Sequence, residues 1–381
     1  MKLSDREWKP YRLSALGKVE SGRDIYAMER IDGNIPYITS GSQNNGIGYF
    51  VSNKNNTLDK GYIAFNRNGA VGIAFYHPYW SVMGNDCRKI HLSKADENIY
   101  VGLFVATAIS MQSKSFSYSR KLGTARANKL QIMLPVTDDG EPDYQFMEDY
   151  VRELMTVKRK QYRNYVEKRL AELGLDVNIP GGGYKDLLKS RNWKEFNIND
   201  IFVVGHGFYN KKPPMYEDGN FPFIGASGEN NGVTGFTTVK DVESNSKIGY
   251  GPNESLDRKI FKRGHLCVVN NGSAIGYTYY QPNEFTCTHD VNPLWLRNRE
   301  MNLYLGLFLS QMIKNQGVCF AYARKWRPSR MINSQFMLPV TCDGEPDYEF
   351  MEDFGRKMMA NKYFQYLAFL AMSDTIEATQ N

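Results

Sequence analysis

The sequence predicts an α+β protein in which two homologous domains are joined by two long antiparallel helices forming a coiled coil. Three observations lead there. Residues 133–149 read MLPVTDDGEPDYQFMED and residues 337–353 read MLPVTCDGEPDYEFMED, identical at fifteen of seventeen positions. Upstream of each copy, short β-like runs alternate with Asn-Gly turns. Downstream of each, after Pro142 and Pro346, the apolar residues take up helical spacing. The offset of 204 residues is domain-sized and far above a solenoid period, so it implies two equivalent domains, not an array.

The duplication can be followed along the chain. Trp8-Lys9 faces Trp193-Lys194 at an offset of 185. Ile35-Pro-Tyr-Ile38 faces Phe221-Pro-Phe-Ile224, and Asn44-Asn-Gly46 faces Asn230-Asn-Gly232, at 186. Tyr76-His-Pro78 faces Tyr280-Gln-Pro282, Asp86 faces Asp290, and Phe116-Ser-Tyr-Ser-Arg-Lys121 faces Phe320-Ala-Tyr-Ala-Arg-Lys325, all at 204. The step from 186 to 204 puts eighteen extra residues into the second copy within 237–268, a polar, turn-rich stretch expected to be a loop insertion. The ends of the copies match closely, while their middles share only a framework.

Within the first copy, Gly61–Phe65 and Val71–Tyr76 flank Asn66-Arg-Asn-Gly-Ala70. This is a hairpin pattern, because Asn-Gly accepts the positive φ of a tight turn. The second copy repeats it with His265–Val269, Asn270-Asn-Gly-Ser273 and Ala274–Thr278. Asn98–Met111 and Met301–Ile313 read as helices by apolar spacing. Residues 143–173 carry Met147, Tyr150, Leu154, Val157, Tyr162, Tyr165, Leu170 and Leu173 at steps of three to five, an amphipathic helix opening after proline. Gly174 ends it, and Pro180-Gly-Gly-Gly183 supplies a hinge. The matching helix runs from about Asp347 to Ala371, with Met351, Phe354, Met358, Tyr363, Leu367 and Leu370 apolar. Such stripes need cover. The other copy's helix is one candidate, as an antiparallel coiled coil; docking of each helix on its own domain is the other. The divisions are therefore 1–142, 143–174 for the first long helix, 175–190 for a linker, 191–346, and 347–381 for the second long helix.

Composition narrows the function. A chain of 381 residues with 42% hydrophobic and 13% aromatic content supports two real cores. No apolar run is long enough to cross a bilayer, and Met1-Lys-Leu-Ser-Asp-Arg-Glu7 does not read as a signal peptide, so a cytoplasmic protein without membrane contact is expected. Five scattered cysteines without a CxxC pattern fit reduced thiols, and Cys287 with His289 offers only two ligands, so no metal site is expected. Net charge is +6. Its placement matters more than its total. Tyr118, Arg120, Lys121 and Arg126 form a basic, aromatic cluster that recurs as Tyr322, Arg324, Lys325, Arg327 and Arg330, which favours a shared binding face over an ordinary solvated surface.

Catalytic signatures are missing. The chain has no GxxxxGK[ST], no strand-linked GxGxxG, no HExxH and no GxSxG. It also lacks the Asn/Asp-Pro-Pro-aromatic tetrapeptide with which an amino-methyltransferase holds a flipped base; Lys212-Pro-Pro-Met215 lacks both the leading acceptor and the ring. The five histidines do not recur between copies, and Glu141, Asp143, Glu148 and Asp149 suit a helix N-terminus. A non-catalytic chain with no cofactor of its own is expected.

The order Trp8-Lys-Pro-Tyr-Arg-Leu13, Ile35-Pro-Tyr-Ile38, Asn-Arg-Asn-Gly hairpin, Leu130-Gln-Ile-Met-Leu-Pro135 and long helix, run twice, resembles the specificity subunits of restriction–modification systems. Each copy then looks like a target recognition domain followed by its spacer. The resemblance implies a subunit that reads an asymmetric bipartite double-stranded DNA target, one half-site per domain, and recruits methyltransferase and nuclease subunits. S-adenosylmethionine would be bound by the partner. Asp139-Gly-Glu-Pro-Asp-Tyr144 and a short second helix look closer to type IIB subunits than to type I. Independently, two modules related by a pseudo-twofold axis suit half-sites on opposite strands of DNA. The near-identical segments suit two copies of one partner, a methyltransferase or a fused methyltransferase/nuclease.

Amides and arginines make bidentate contacts with base edges. On that chemistry the base-reading candidates are Ser42, Gln43, Asn44, Asn45 and Arg67 in the first domain, and Glu229, Asn230, Asn231, Asn271 and Ser273 in the second. A turn requirement explains the shared asparagines equally well, and would make them scaffold. The basic residues of the Phe-x-Tyr-x-Arg-Lys segments suit phosphates, which position without specifying. Two other classes stand as alternatives. A self-sufficient methyltransferase or nuclease would be exposed by activity of the purified chain, and a DNA-free scaffold by the absence of a salt-dependent mobility shift.

Overall fold

The computed structural model describes residues 1–95, 97–117, 119–174, 184–321 and 324–380. It divides into two compact units, Met1–Asn164 and Tyr165–Asn381.

The first unit opens with β1 (Glu7–Arg12), a one-turn α1 (Leu13–Leu16) and β2 (Val19–Ser21). There follow β3 (Asp32–Ile38), β4 (Ile47–Val51), β5 (Tyr62–Asn66), β6 (Ala74–His77), β7 (Val82–Met83) and β8 (Cys87–Ile90). The helices α2 (Ile99–Ser110) and α3 (Thr124–Lys129) precede β9 (Gln131–Val136) and the long α4 (Tyr144–Glu172). Three small sheets result: the β1-β9 ribbon, β2-β8-β5-β6, and β4-β3-β7, in which β3 and β7 run parallel. Strand β5 is buried throughout because a sheet neighbour lies on each side and α2 packs on it, so it shows no polar alternation. Asn98 caps α2, its side chain accepting from the amides of Tyr100 and Val101.

The second unit repeats this plan. β10 (Trp193–Asn197), α5 (Ile198–Ile201), β11 (Phe202–Val204), β12 (Phe221–Ile224) and β13 (Val233–Thr237) lead to α6 (Val239–Ser244). Then come β14 (His265–Val269), β15 (Thr278–Gln281), β16 (Thr286–Cys287), β17 (Val291–Leu296), α7 (Leu303–Gln316), α8 (Pro328–Met331), β18 (Gln335–Pro339) and α9 (Tyr348–Gln380). Its sheets are β10-β18, β11-β17-β14-β15 and β13-β12-β16, each the counterpart of one in the first unit. Contacts recur with them. Trp8 stacks on Phe104 at 6.0 Å, and Trp193 on Phe308 at 6.4 Å. The α+β class and the two homologous domains are those the sequence predicted.

Four local expectations need correction. The second hairpin strands start late, at Ala74 and Thr278, because the intervening loops carry positive-φ glycines at 69 and 72, and at 272 and 276. The extra residues of the second copy are not a plain loop: they contain α6 and close over Lys259, which is wholly buried. The Lys259 ammonium donates to the carbonyls of Val242, Glu243 and Asn245 and to Asn253 Oδ1 at 2.5–3.0 Å. The second long helix is not short, since it reaches Gln380. The expected stripe on α4 is also incomplete. Leu154 and Val157 are exposed, while Met147, Val151, Val166 and Leu170 are buried.

Each long helix begins by docking on its own domain. Tyr150 of α4 meets Phe104 edge to face at 6.1 Å, and Phe354 of α9 meets Phe308 the same way at 5.5 Å. Gly355 allows α9 to press on α7, where an added Cβ would stand 2.4 Å from the Tyr304 carbonyl. The last turns of α4 belong to the second unit. There the Tyr165 hydroxyl lies 3.4 Å from that of Tyr363, and Arg169 reaches the Tyr304 hydroxyl. The Pro180-Gly-Gly-Gly183 hinge lies outside the described residues.

Folding accounts for much of the near-identical segment. Gly140 and Gly344 take φ of +79° and +78° in matching turns. Asp143 and Asp347 cap the long helices, accepting from the amides of Phe146 and Phe350 at 2.9 and 3.0 Å. Arg6 pairs with Asp143 at 2.8 Å and Arg191 with Asp347 at 3.6 Å. Burial works to raise the Asp143 carboxyl, but the Arg6 guanidinium and the Phe146 amide outweigh it and hold it below the ordinary value. Met133 and Met337 are different: both side chains stay exposed, at 45% and 41%.

Candidate nucleic-acid interface

Three chain segments distant in sequence meet at one end of each domain. The first is the turn between β3 and β4, and between β12 and β13. Asn44, Asn45 and Gly46 have φ of +51°, +53° and +72°; Asn230, Asn231 and Gly232 have +50°, +53° and +77°. Three successive left-handed residues need asparagine and glycine, the residues that enter this region at least cost. The repeated Asn-Asn-Gly is therefore a backbone requirement. Asn45 lies beside the Tyr79 hydroxyl, and Asn231 Nδ2 donates to the Tyr280 carbonyl at 2.9 Å, so the second asparagine of each turn faces the neighbouring strand segment. Ser42, Gln43, Asn44, Glu229 and Asn230 are exposed.

The second segment is the hairpin between β5 and β6, and between β14 and β15. Asn66 Nδ2 donates to the Gly41 carbonyl at 2.9 Å and the Ala70 amide to Ser40 at 3.2 Å, tying hairpin to turn. In the second domain the Tyr279 hydroxyl does this by donating to the Ser227 carbonyl at 3.1 Å. The hairpins align with a one-residue slip. Arg67 and Asn270 each donate a backbone amide, at 2.8 Å, to the carbonyls of Asp86 and Asp290. The side-chain amides of Asn68 and Asn271 then donate to the carboxylates of the same aspartates, at 3.3 and 2.8 Å. Asn271 is thus the counterpart of Asn68, not of Arg67, and its Nδ2 is held internally.

At the position of Arg67 the domains diverge. Arg67 and Arg88 both donate to the Asn85 carbonyl, at 3.2 and 2.9 Å. Burial first, and then the neighbouring Arg67 charge, lower the Arg88 pKa. In the second domain the same two places hold Asn270 and Asn292, joined by a 2.9 Å hydrogen bond inside the core. The sequence reading missed Arg88; its signal was an arginine at offset 204 from a buried asparagine.

The third segment is basic. The Leu122 amide donates to the Arg67 carbonyl and the Trp326 amide to the Asn270 carbonyl, both at 3.1 Å, which fixes each basic stretch beside its hairpin. The Arg120 guanidinium lies 5.8 Å from the Phe116 ring centre and that of Arg324 5.4 Å from Phe320. Arg126 and Arg330 donate to the carbonyls of Lys121 and Lys325 at 2.8 and 2.9 Å. Arg120, Arg126, Arg324, Arg327 and Arg330 are exposed, and Lys121 and Lys325 half-buried. Tyr118 and Tyr322 lie outside the described residues.

In the second domain the turn and hairpin enclose a cleft of about 450 Å³ lined by Ala226, Ser227, Gly228, Glu229, Ser273, Ala274 and Tyr277. Glu229 and Ser273, both singled out from the sequence, thus share one recess. Lys314 was not singled out; its ammonium sits 4.2 Å over the Tyr277 ring. Among the described residues no cluster of three potential metal ligands occurs, and no helix is long and apolar enough to cross a membrane.

A duplicated α+β domain that gathers a turn, a hairpin and a basic stretch at one end defines a class of paired recognition modules. The chain belongs to the family of type I restriction modification DNA specificity domains, matching it twice, over residues 5–162 and 190–365. It is a specificity subunit of a restriction–modification system with two target recognition domains. It is 29% identical, over 349 residues, to the specificity subunit S.BcgI of the type II restriction enzyme BgcI of Heyndrickxia coagulans, covering 88% of this chain and 91% of that protein. Among solved structures it is similar to a type I restriction-modification S subunit from M. genitalium, at 15% identity and a TM-score of 0.44, covering 100% of this chain and 96% of that one. It is also similar to the HsdS subunit from Thermoanaerobacter tengcongensis, at 13% identity and a TM-score of 0.29, covering 96% and 91%.

Proposed function

We propose that each domain reads one half of an asymmetric, bipartite double-stranded DNA target, through the turn and hairpin, while the basic stretch holds phosphates. One observation carries this reading. The two interfaces share their backbone framework but differ at exposed or charge-bearing positions, Gln43 against Glu229 and Arg67 with Arg88 against Asn270 with Asn292. A shared framework with divergent side chains suits two readers of different sequences. The chain itself carries out no chemistry; a methyltransferase or fused methyltransferase/nuclease subunit supplies it and binds S-adenosylmethionine. Two copies of that partner are recruited through the near-identical segments, where Met133 and Met337 offer the same exposed apolar contact twice. The long helices set the gap between half-sites by pairing antiparallel. The span shared with S.BcgI favours the type IIB arrangement.

The test is a domain exchange. Replacing residues 20–130 with those of another such module should change one half of the methylated site and leave the other intact, as read by sequencing modified bases in cells that also express the partner. A change in both halves would count against independent modules. Stoichiometric S-adenosylmethionine binding by the isolated chain would place the chemistry here instead.

A further inference from the structure

We propose that positions 43 and 229 are the equivalent base-reading positions of the two domains, Gln43 selecting adenine and Glu229 selecting cytosine. This rests on the reading of both domains as DNA-sequence readers and names the residues that make their half-sites differ.

The two positions stand on the same pedestal. Gln43 has φ −114° and ψ 163°, and Glu229 has φ −129° and ψ 167°. Each is followed by the left-handed Asn-Asn-Gly. Each carbonyl accepts from the glycine amide three residues on, at 2.8 and 2.9 Å, and each glycine carbonyl then accepts from residue 39 or 225, at 2.7 and 2.9 Å. The backbone therefore launches both side chains in the same direction. The next two residues are asparagine in both domains, so they cannot tell one half-site from the other. The residues just before also differ, Thr39-Ser-Gly-Ser42 against Gly225-Ala-Ser-Gly228, but they are small, and the one long polar side chain that differs at this turn is the one at 43 and 229.

Both side chains are exposed, and among the described residues neither makes a hydrogen bond. Two residues on, Asn231 is by contrast tied to the Tyr280 carbonyl, and Asn45 lies beside the Tyr79 hydroxyl. Glu229 also lines the 450 Å³ recess with Ser273 and Tyr277, where an inserted base edge would find it.

The chemistry differs by one group. A glutamine amide has a donor and an acceptor, matching the N7 and N6 amino pair of adenine; a carboxylate only accepts, matching the N4 amino group of cytosine. A carboxylate also repels the acceptor-rich edge of guanine and the phosphates, so it disfavours wrong sequences as well as favouring the right one. Glutamine and glutamate have nearly the same shape. Exchanging them changes the hydrogen-bond pattern without changing the fit.

The experiment selects bound duplexes from a randomised double-stranded DNA library. It uses the full-length chain, alone and assembled with its co-expressed partner, as wild type, Glu229→Gln, Gln43→Glu and the double variant, each checked for an unchanged melting transition. Glu229→Gln should move one position of one half-site from cytosine to adenine, with a change in preference of about ten- to a hundredfold. Gln43→Glu should make the reverse change in the other half-site, and the double variant should show both. Motifs unchanged at every position would overturn the proposal, as would loss of selectivity throughout a half-site, which would mark these residues as scaffold. A wild-type chain that selects no motif in either form would overturn the DNA-reading function itself, a result distinguishable from both.

Discussion

Salt dependence offers the most direct measure of how this protein holds DNA. Seven cations belong to the two basic stretches: Arg120, Lys121 and Arg126 in the first domain, and Arg324, Lys325, Arg327 and Arg330 in the second. If each neutralises one phosphate, counterion release gives log K against log salt a slope of about −6. Affinity then falls several thousandfold, roughly, between 50 and 200 mM salt. Arg120 and Arg324 are the residues to remove. Among the described residues their guanidiniums touch only the rings of Phe116 and Phe320, whereas Arg126 and Arg330 also brace carbonyls within their own loops. The Arg120→Ala/Arg324→Ala double variant should lose about 1.8 units of slope, reducing the decline over that salt range to roughly 500-fold. Fluorescence anisotropy on a labelled duplex across a salt series measures both quantities. Sequence preference should not change, because phosphate contacts position without specifying. A weaker affinity with an unchanged slope would refute the assignment, since it would mean the arginines shape the loops and do not meet phosphate.

Lys259→Met should destabilise the second domain by about 3–5 kcal/mol, because four acceptors, one buried and three partly buried, lose a charged donor that sits wholly buried. Its melting transition should fall by about 6–20 °C while the first half-site is still recognised; a shift under about 2 °C would show that the insertion does not depend on this lysine. Burial pushes the His77 pKa down to about 4. The folded state therefore resists protonation that the unfolded chain accepts, so stability is complete above about pH 6.5 and falls as pH drops through 4, by about 3 kcal/mol in all. His77→Phe should remove this component from urea titrations between pH 7 and 4, and an identical pH profile in the variant would exclude His77 as its source. One heptad inserted in α4 alone should damage target recognition, whereas matched insertions in α4 and α9 should lengthen the preferred gap. Seven residues add roughly 10.5 Å, about three base pairs. An unchanged optimum in a methylated library of variable gaps would show that these helices are not the ruler.

What was legible in the sequence was local or repeated. The duplication, the hairpins, the Asn98–Met111 helix and the starts of the long helices follow from periodicity, proline and Asn-Gly turns, which act within a few residues. Helix ends and apolar faces were read less well. Leu154 and Val157 fit the periodic stripe yet lie exposed, because burial depends on what a helix meets and not on its own spacing. The candidate interface divides in the same way. Its residue types were recognisable, but a uniform offset of 204 would set Asn271 against Arg67, whereas it takes the place of Asn68. A single residue added within the loop leaves each strand paired with its sheet neighbours, and the slip shows in the ladder, where Phe65 faces Ala74 but Val268 faces Thr278, and in the amides donated to Asp86 and Asp290. Tertiary structure alone decided that the turn at 42–45, the hairpin at 67 and the basic stretch at 120–126 meet, and that Arg67 and Arg88 share one carbonyl. Those contacts join residues tens of positions apart through sheet pairing, and pairing depends on the register and packing of the whole domain, which no local pattern encodes.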